Sequence, residues 1–169
     1  KVYFLRWKDD SKWVDDTSRI LADRRACVNS RYAITADFNH DQKPDVFLSC
    51  GDSIAEQQLV FLSSASGAYT RIETGISIKG MRAAAADLDG DNSPDVVANI
   101  NGAVLNAPSM LIYKGDGRGG FSTQPTWLTD CFGSSGNPVG YTPPEIPSNI
   151  QQVFLMPTAA GRTDLFVSG

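Results

Sequence analysis

The residues best suited to chemistry in this sequence are acidic, and they lie in two nine-residue stretches that share one pattern. Asp37–Asp45 and Asp87–Asp95 both begin with Asp, carry side-chain oxygens at the third and fifth positions, and end in Pro-Asp. A tight loop turns alternate side chains towards one centre, and Ca²⁺ takes about six to eight oxygen ligands. Carboxylates packed this closely repel one another unless a cation neutralises them. The spacing therefore predicts a divalent cation in each loop.

We expect the ligands to come from the odd-numbered positions of each loop, with a backbone carbonyl at position 7 and side-chain oxygens elsewhere. The predicted ligands are Asp37, Asn39, Asp41, Lys43 and Asp45 in the first loop and Asp87, Asp89, Asp91, Ser93 and Asp95 in the second. Because every donor is oxygen, Ca²⁺ is favoured over Zn²⁺ or Cu²⁺, and two calcium ions are the expected cofactors. The first loop is predicted to be the weaker site, since Asn39 replaces a carboxylate and Gln42 stands where a left-handed backbone is wanted.

Two other structures could carry acidic residues at this spacing. An EF-hand needs Gly at position 6, Glu at position 12 and a helix on each side. Position 12 is Leu48 in the first stretch and Ala98 in the second, and the flanks Val46–Leu48 and Val96–Ala98 favour β-strands. The spacing thus predicts a strand–loop–strand site. An acidic surface turn without metal stays open as the alternative, because Asp and Asn are common in turns.

The repeated pattern, in which each loop ends in Pro-Asp-Val, resembles the FG-GAP/VCBS repeat family. Each copy is followed by an apolar run, Val60–Leu62 or Leu111–Tyr113, and a glycine-containing turn, and the resemblance covers residues 31–127. It implies β-propeller blades with Ca²⁺ in the loop between the first two strands, as in integrin α-subunit heads and several secreted lectins and lyases. The family loop usually has Gly at position 6, where this chain has Gln42 and Asn92.

Short apolar runs separated by turns predict an all-β fold of four-stranded antiparallel blades in one partial propeller domain, residues 1–169. The expected units are a half blade in 1–20, blades in 31–74 and 82–127, a long loop in 128–149, and a half blade in 151–169. The predicted strands are Val2–Trp7, Trp13–Val14, Tyr32–Ala36, Val46–Cys50, Gln58–Leu62, Tyr69–Glu73, Arg82–Ala86, Val96–Asn99, Met110–Tyr113, a return strand from Phe121, Gln151–Met156 and Asp164–Val167. A polar connector is expected over 17–30.

About three blades are too few to close a ring, since propellers have about four to eight. We therefore expect an incomplete ring, which forms part of a larger propeller or of an assembly with another chain. Open edge strands invite pairing, so the isolated chain is expected to associate.

A third copy of the loop is recognised near residue 164. Aligning Asp164 with Asp45 and Asp95 places Met156, Thr158 and Ala160 at the other ligand positions, so this copy is expected to have lost its metal.

Charge and hydropathy limit the partners. The net charge is −4, and seven carboxylates of the two loops account for it, so nucleic acid is not an expected partner. No apolar run approaches the ~18 residues of a membrane-spanning helix. Calcium sites of the weak class, with dissociation constants of about 10⁻⁴–10⁻³ M, suit extracellular calcium concentrations. We therefore expect an extracellular or cell-surface location.

The sequence has three cysteines, Cys27, Cys50 and Cys131, and no Cys-x-x-Cys motif. Cys27 and Cys50 lie outside opposite ends of one loop hairpin and form the first candidate disulfide. Three free thiols fit the sequence equally well.

No catalytic constellation is indicated. The sole histidine, His40, occupies a non-ligand position of the first loop, and no Ser–His pairing is suggested by spacing. Only Glu56, Glu73 and Glu145 remain, by elimination, as carboxylates for glycoside hydrolysis. The leading hypothesis is a non-catalytic calcium-binding β-propeller module for extracellular recognition or adhesion, with a carbohydrate or protein ligand. The alternative is the propeller domain of a secreted polysaccharide-degrading enzyme or of a toxin or scaffold protein.

Overall fold

The computed structural model describes residues 2–8, 12–21, 27–51, 54–100, 110–123, 126–127, 152–157 and 163–168. This part of the chain is built from antiparallel strands in two four-stranded sheets and two hairpins, with one four-residue helix, so the all-β prediction is confirmed. The elements are β1 Leu5–Lys8, β2 Lys12–Asp15, α1 Thr17–Ile20, β3 Ser30–Ala36, β4 Asp45–Cys50, β5 Glu56–Ser63, β6 Tyr69–Ile78, β7 Gly80–Ala86, β8 Asp95–Ile100, β9 Met110–Tyr113, β10 Thr126–Trp127, β11 Gln152–Pro157 and β12 Thr163–Ser168.

The first sheet has the order β3-β4-β5-β6, in which each strand pairs with the next along the chain. Apolar residues line both faces of its inner strand β5, where Leu59, Val60 and Phe61 are all buried. Strand β6 runs five residues beyond the predicted end at Glu73. The reason is Ile76, which is buried in the core and carries the strand onward.

The second sheet repeats this order as β7-β8-β9-β10. Its fourth strand differs from the prediction, because Phe121 forms an isolated bridge with Gly115 and the strand itself is Thr126–Trp127. The side chain of Phe121 is buried in the core, so it fills space between the sheets instead of extending the sheet edge.

The main core lies between the two four-stranded sheets. Phe121, from the turn that follows β9, packs edge-on against Phe38 of the first loop and Phe47 of β4, with ring centroids 5.6 Å and 5.8 Å apart. Val60 and Val96 complete the centre of this cluster. The first strands of successive sheets are neighbours, since β7 contacts both β3 and β11. The sheets are therefore stacked face to face in chain order.

The opposite face of the first sheet is covered by the N-terminal segment. The ring of Phe4 lies 4.6 Å from that of Tyr69, and Leu21 forms a parallel bridge with Tyr69. A disulfide joins Cys27 to Cys50 with a Cα–Cα distance of 5.6 Å, which confirms the candidate pairing. The predicted polar connector is thus partly wrong, because it contains α1 and the buried Leu21.

The hairpin β11–β12 corrects the alignment of the third loop. Met156 pairs with Asp164 in the same way that the last residue of β3 pairs with Asp45 and the last residue of β7 with Asp95. Met156 therefore corresponds to Ala36 and Ala86, lies inside β11, and does not occupy the first ligand position. Thr158, Ala160, the predicted long loop 128–149 and Cys131 lie outside the described residues.

Among the described residues, no helix has the length and apolar character needed to cross a membrane.

Candidate functional site

Both acidic loops lie between the first and second strands of their sheets. In each case the residue before the loop pairs with the aspartate that ends it, Ala36 with Asp45 and Ala86 with Asp95. The loops are thus closed by strand pairing, and β-strands flank them on both sides, as the spacing predicts. The EF-hand alternative is excluded by these flanks.

Two left-handed residues bend each loop. Gln42 and Asn92, at position 6, have φ values of 63° and 69°, which confirms the expected left-handed position. Position 4 is left-handed too, at His40 with φ 61° and Gly90 with φ 84°, and sequence reasoning missed it. Gly90 was the available signal, because glycine adopts this conformation without steric cost.

The first carboxylate of each loop accepts hydrogen bonds from backbone N–H groups across the loop. Asp37 accepts from Asp41 at 3.0 Å and from Gln42 at 2.7 Å. Asp87 accepts from Gly90 at 2.7 Å and from Asn92 at 2.9 Å. The carboxylate at position 1 therefore lies at the centre of the loop in both copies.

Positions 3 and 5 also accept hydrogen bonds, each from the N–H two residues further on. The pairs are Asn39 with Asp41 at 3.2 Å, Asp41 with Lys43 at 3.0 Å, Asp89 with Asp91 at 3.3 Å and Asp91 with Ser93 at 2.7 Å. These short-range bonds fix the direction of each side chain and explain why alternate positions carry Asp or Asn.

The ninth position joins the loop to the rest of the sheet. Asp45 and Asp95 are 0% and 1% exposed, and burial raises the pKa of both carboxyls, while backbone hydrogen bonds oppose that shift. One oxygen of each accepts from the N–H at position 2. The other accepts from an N–H of the last residue of the third strand in the first sheet, and of the second residue after that strand in the second sheet. The donors are Phe38 and Ser63 for Asp45, and Leu88 and Gly115 for Asp95. Sequence reasoning predicted these residues as ligands and missed this structural role.

The second loop brings three carboxylates together. One oxygen each of Asp87, Asp89 and Asp95 lies within 4.8 Å of the other two, and within the described ranges this is the one such group of His, Cys, Asp or Glu. Asp91 is not a member of the group, and the first loop, with its amide at Asn39, does not form one. An all-oxygen set of this spacing fits a hard divalent cation. The donor chemistry of the second loop therefore fits the ion that the resemblance implies.

Each loop also carries a lysine ammonium that the sequence analysis did not anticipate. Lys114 Nζ lies 2.6 Å from Asp89 Oδ2, and Lys43 Nζ lies 3.2 Å from Asp41 Oδ2. The bond from Lys114 holds the pKa of the Asp89 carboxyl below its usual value, and the same carboxylate raises the pKa of Lys114. Lys43 was expected to contribute only its backbone carbonyl.

The two loops touch each other through His40. Its Nε2 lies 3.3 Å from the hydroxyl of Ser93, and the backbone N–H of Gly119 donates to the Phe38 carbonyl at 2.9 Å. A Cβ at Gly117 would lie 2.6 Å from the histidine ring and 3.1 Å from the Ser93 hydroxyl. Ser93 is buried under this turn. A nucleophilic hydroxyl must be accessible to substrate, and this one is not. The His–Ser contact therefore joins two loops.

The glutamates considered for glycoside hydrolysis have structural partners. Glu56 accepts backbone hydrogen bonds from Val28 at 2.6 Å and Asn29 at 3.2 Å, next to the disulfide. Glu73 pairs with Arg71 at 2.9 Å on the sheet surface. Glu145 lies outside the described residues. Glu56 thus holds the segment after Cys27 in place, and Glu73 forms a surface ion pair within its own strand.

Comparison with known families agrees with the geometry. A family model described as the FG-GAP-like repeat matches residues 37–98, which run from the first residue of the first loop into β8. Over residues 37–98 the chain is thus similar to the FG-GAP-like repeat, and this match confirms the resemblance deduced from the loop pattern. No curated protein and no solved structure matches the chain.

Proposed function

We propose that this chain is a calcium-binding portion of a β-propeller that acts as a non-catalytic module for extracellular recognition or adhesion. The observation that carries the proposal is the second loop, where oxygens of Asp87, Asp89 and Asp95 converge within 4.8 Å. The same backbone path recurs in the first loop, whose predicted ligands are Asp37, Asn39, Asp41, Lys43 and Asp45.

The stacking of the sheets supports a propeller. Successive sheets pack face to face, and β7, the first strand of the second sheet, has the first strands of its neighbours on either side. In a propeller, four-stranded sheets are arranged radially around a central channel. Each acidic loop follows a first strand and so lies at the same end of its sheet.

The role proposed for calcium is structural. A divalent cation bound at each loop neutralises carboxylates that otherwise repel one another. The chain's own part is to hold Asp87 at the loop centre through two backbone N–H groups and Asp95 in a buried position between the loop and β9. The loops then serve as rigid points of a scaffold, and recognition of a carbohydrate or protein ligand falls to the exposed surface around them.

Thermal unfolding with and without a chelator tests the cation proposal. Calcium at about 100 times its dissociation constant stabilises a protein by roughly 2.7 kcal/mol for each site, so chelation should lower Tm by at least about 5–10 °C. Calorimetric titration of the chelated chain should give two ions per chain for the wild type and one for Asp87→Asn/Asp89→Asn. An unchanged Tm in chelator would contradict the proposal. A glycan array probed with the whole protein, with and without Ca²⁺, then tests carbohydrate recognition.

A further inference from the structure

In each acidic loop, a lysine ammonium pairs with one of the predicted ligand carboxylates. Lys114 bonds to Asp89 at 2.6 Å in the second loop, and Lys43 bonds to Asp41 at 3.2 Å in the first. The two ammonium groups reach equivalent acidic clusters from different places in the chain. One follows the third strand of its sheet, and the other belongs to the loop itself.

We infer that Lys114 and Lys43 are tethered counter-ions that compete with the divalent cation for the loop carboxylates. Each lysine thereby lowers the affinity of its loop for that cation. The inference rests on the proposed function, since it concerns the same two loops. It assigns a role to two lysine side chains, neither of which is a predicted side-chain ligand, and it makes cation uptake an exchange of one positive charge for another.

The placement of Lys114 follows from the sheet. The preceding residue, Tyr113, is buried in the core, and the following residue, Gly115, donates its N–H to Asp95 at 3.0 Å. The backbone on both sides of the lysine is therefore fixed, and the ammonium reaches Asp89 from a rigid strand end. Because the backbone is held, pairing requires only that the lysine side chain be ordered.

Competition follows from the carboxylate that is shared. Asp89 belongs to the group of three carboxylates that converge in the second loop, and it is also the partner of Lys114. The ammonium must leave this carboxylate, or share it at the cost of repulsion, before a divalent cation can use the full set. In the cation-free chain the same ammonium reduces repulsion among the aspartates.

Two opposite effects are therefore expected when the charge is removed. Lys114→Met should bind Ca²⁺ about fivefold more tightly at one of its two sites. This factor corresponds to the upper end of the free-energy range for an exposed ion pair. The same variant should unfold at a lower temperature than wild type in chelator, because the carboxylates then lack their counter-ion. Lys43→Met should change the other site in the same direction and by less, because its ion pair is longer.

Two further variants serve as controls. Lys114→Arg keeps the charge and should keep the wild-type affinity and the wild-type Tm in chelator. Arg118→Met removes a cation from the same turn, and within the described residues the Arg118 side chain has no ion pair with a loop carboxylate. It should leave both binding steps unchanged.

The titrations use the intact chain, Ca²⁺ as the only added ligand, and circular dichroism to verify folding. Equal or weaker binding by Lys114→Met while the wild type binds two ions overturns the inference and leaves the proposed function intact. A wild type that binds no Ca²⁺ overturns the proposed function and the inference together. An increase in affinity for Arg118→Met equal to that for Lys114→Met also overturns the inference, since general charge would then explain the gain.

Discussion

Asp45 and Asp95 show how one residue type serves two purposes in this protein. Each is buried, and each accepts backbone N–H groups from its own loop and from the end of the third strand. A carboxylate with two such bonds is satisfied without any cation. These residues therefore hold the loops in place whether or not a cation is present.

Replacing Asp95 by Asn should destabilise the chain by about 2–3 kcal/mol in chelator, because the amide nitrogen faces a backbone N–H and leaves it without an acceptor. Urea unfolding measures the change. Glu73→Gln is the control, since this glutamate is exposed and should shift stability by less than about 0.5 kcal/mol. Equal stability of the two variants would show that the buried hydrogen bonds do not support the loop.

Tyr113 gives the structure a pH dependence at alkaline pH. Burial raises the pKa of its hydroxyl from 10.0 to about 12. The neutral phenol is thus favoured by folding, and its contribution to stability is complete below pH 10 and is lost as the pH rises from 10 to 12. The loss should approach about 2 kcal/mol.

Urea unfolding at about pH 9 and pH 11.5 tests this contribution. Tyr113→Phe should lose less stability over that interval than wild type does, because it has no phenol to ionise. Parallel losses in the two proteins would assign the alkaline unfolding to other groups.

Among the elements, the two acidic loops form one unit with the turn after β9. His40 reaches from the first loop to Ser93 in the second, and Gly117 lies against both side chains with φ 67°. Glycine is required there for two reasons, the left-handed backbone and the close approach of the histidine ring.

Gly117→Ala should displace His40 and cost about 1–3 kcal/mol in chemical unfolding. Gly67→Ala is a matched control, because Gly67 is also left-handed with φ 75° and a Cβ there meets nothing within 4 Å. His40→Ala should recover part of the loss in the Gly117→Ala background and none in the Gly67→Ala background. Equal costs at both glycines would mean that the loop contact contributes nothing.

At the scale of the whole molecule, the outer face of the β1–β2 hairpin is apolar and open. Trp7 and Trp13 pair across the strands with ring centroids 5.3 Å apart, and they are 54% and 63% exposed. Large exposed aromatic pairs of this kind mark surfaces that other protein covers.

We predict that the isolated chain associates through this face as its concentration rises. Light scattering coupled to gel filtration should show mass increasing with concentration for wild type and a constant monomer mass for Trp7→Lys/Trp13→Lys. Lys12→Ser, on the opposite face of the same hairpin, should behave as wild type. A monomer at every concentration would contradict the prediction.

The local features of the fold can be predicted from the sequence alone. Most strand positions, the strand–loop–strand arrangement and the left-handed residue at position 6 follow from hydrophobic alternation and turn chemistry, which act over a few residues. The extension of β6 and the position of β10 do not. The Cys27–Cys50 pair was also within reach, because both cysteines flank one hairpin. The alignment by spacing was wrong at Met156. It placed the first ligand position eight residues before Asp164, but the third loop is one residue shorter than the other two.

The contacts between distant residues were decided by the tertiary structure alone. Lys114 meets Asp89, His40 meets Ser93 and Gly115 meets Asp95 across 25, 53 and 20 residues of sequence. No periodicity specifies such pairs, since they depend on which strand ends the sheet order and the face-to-face stacking bring together. The sequence therefore placed the acidic loops along the chain, and folding supplied the lysine, histidine and backbone groups around them.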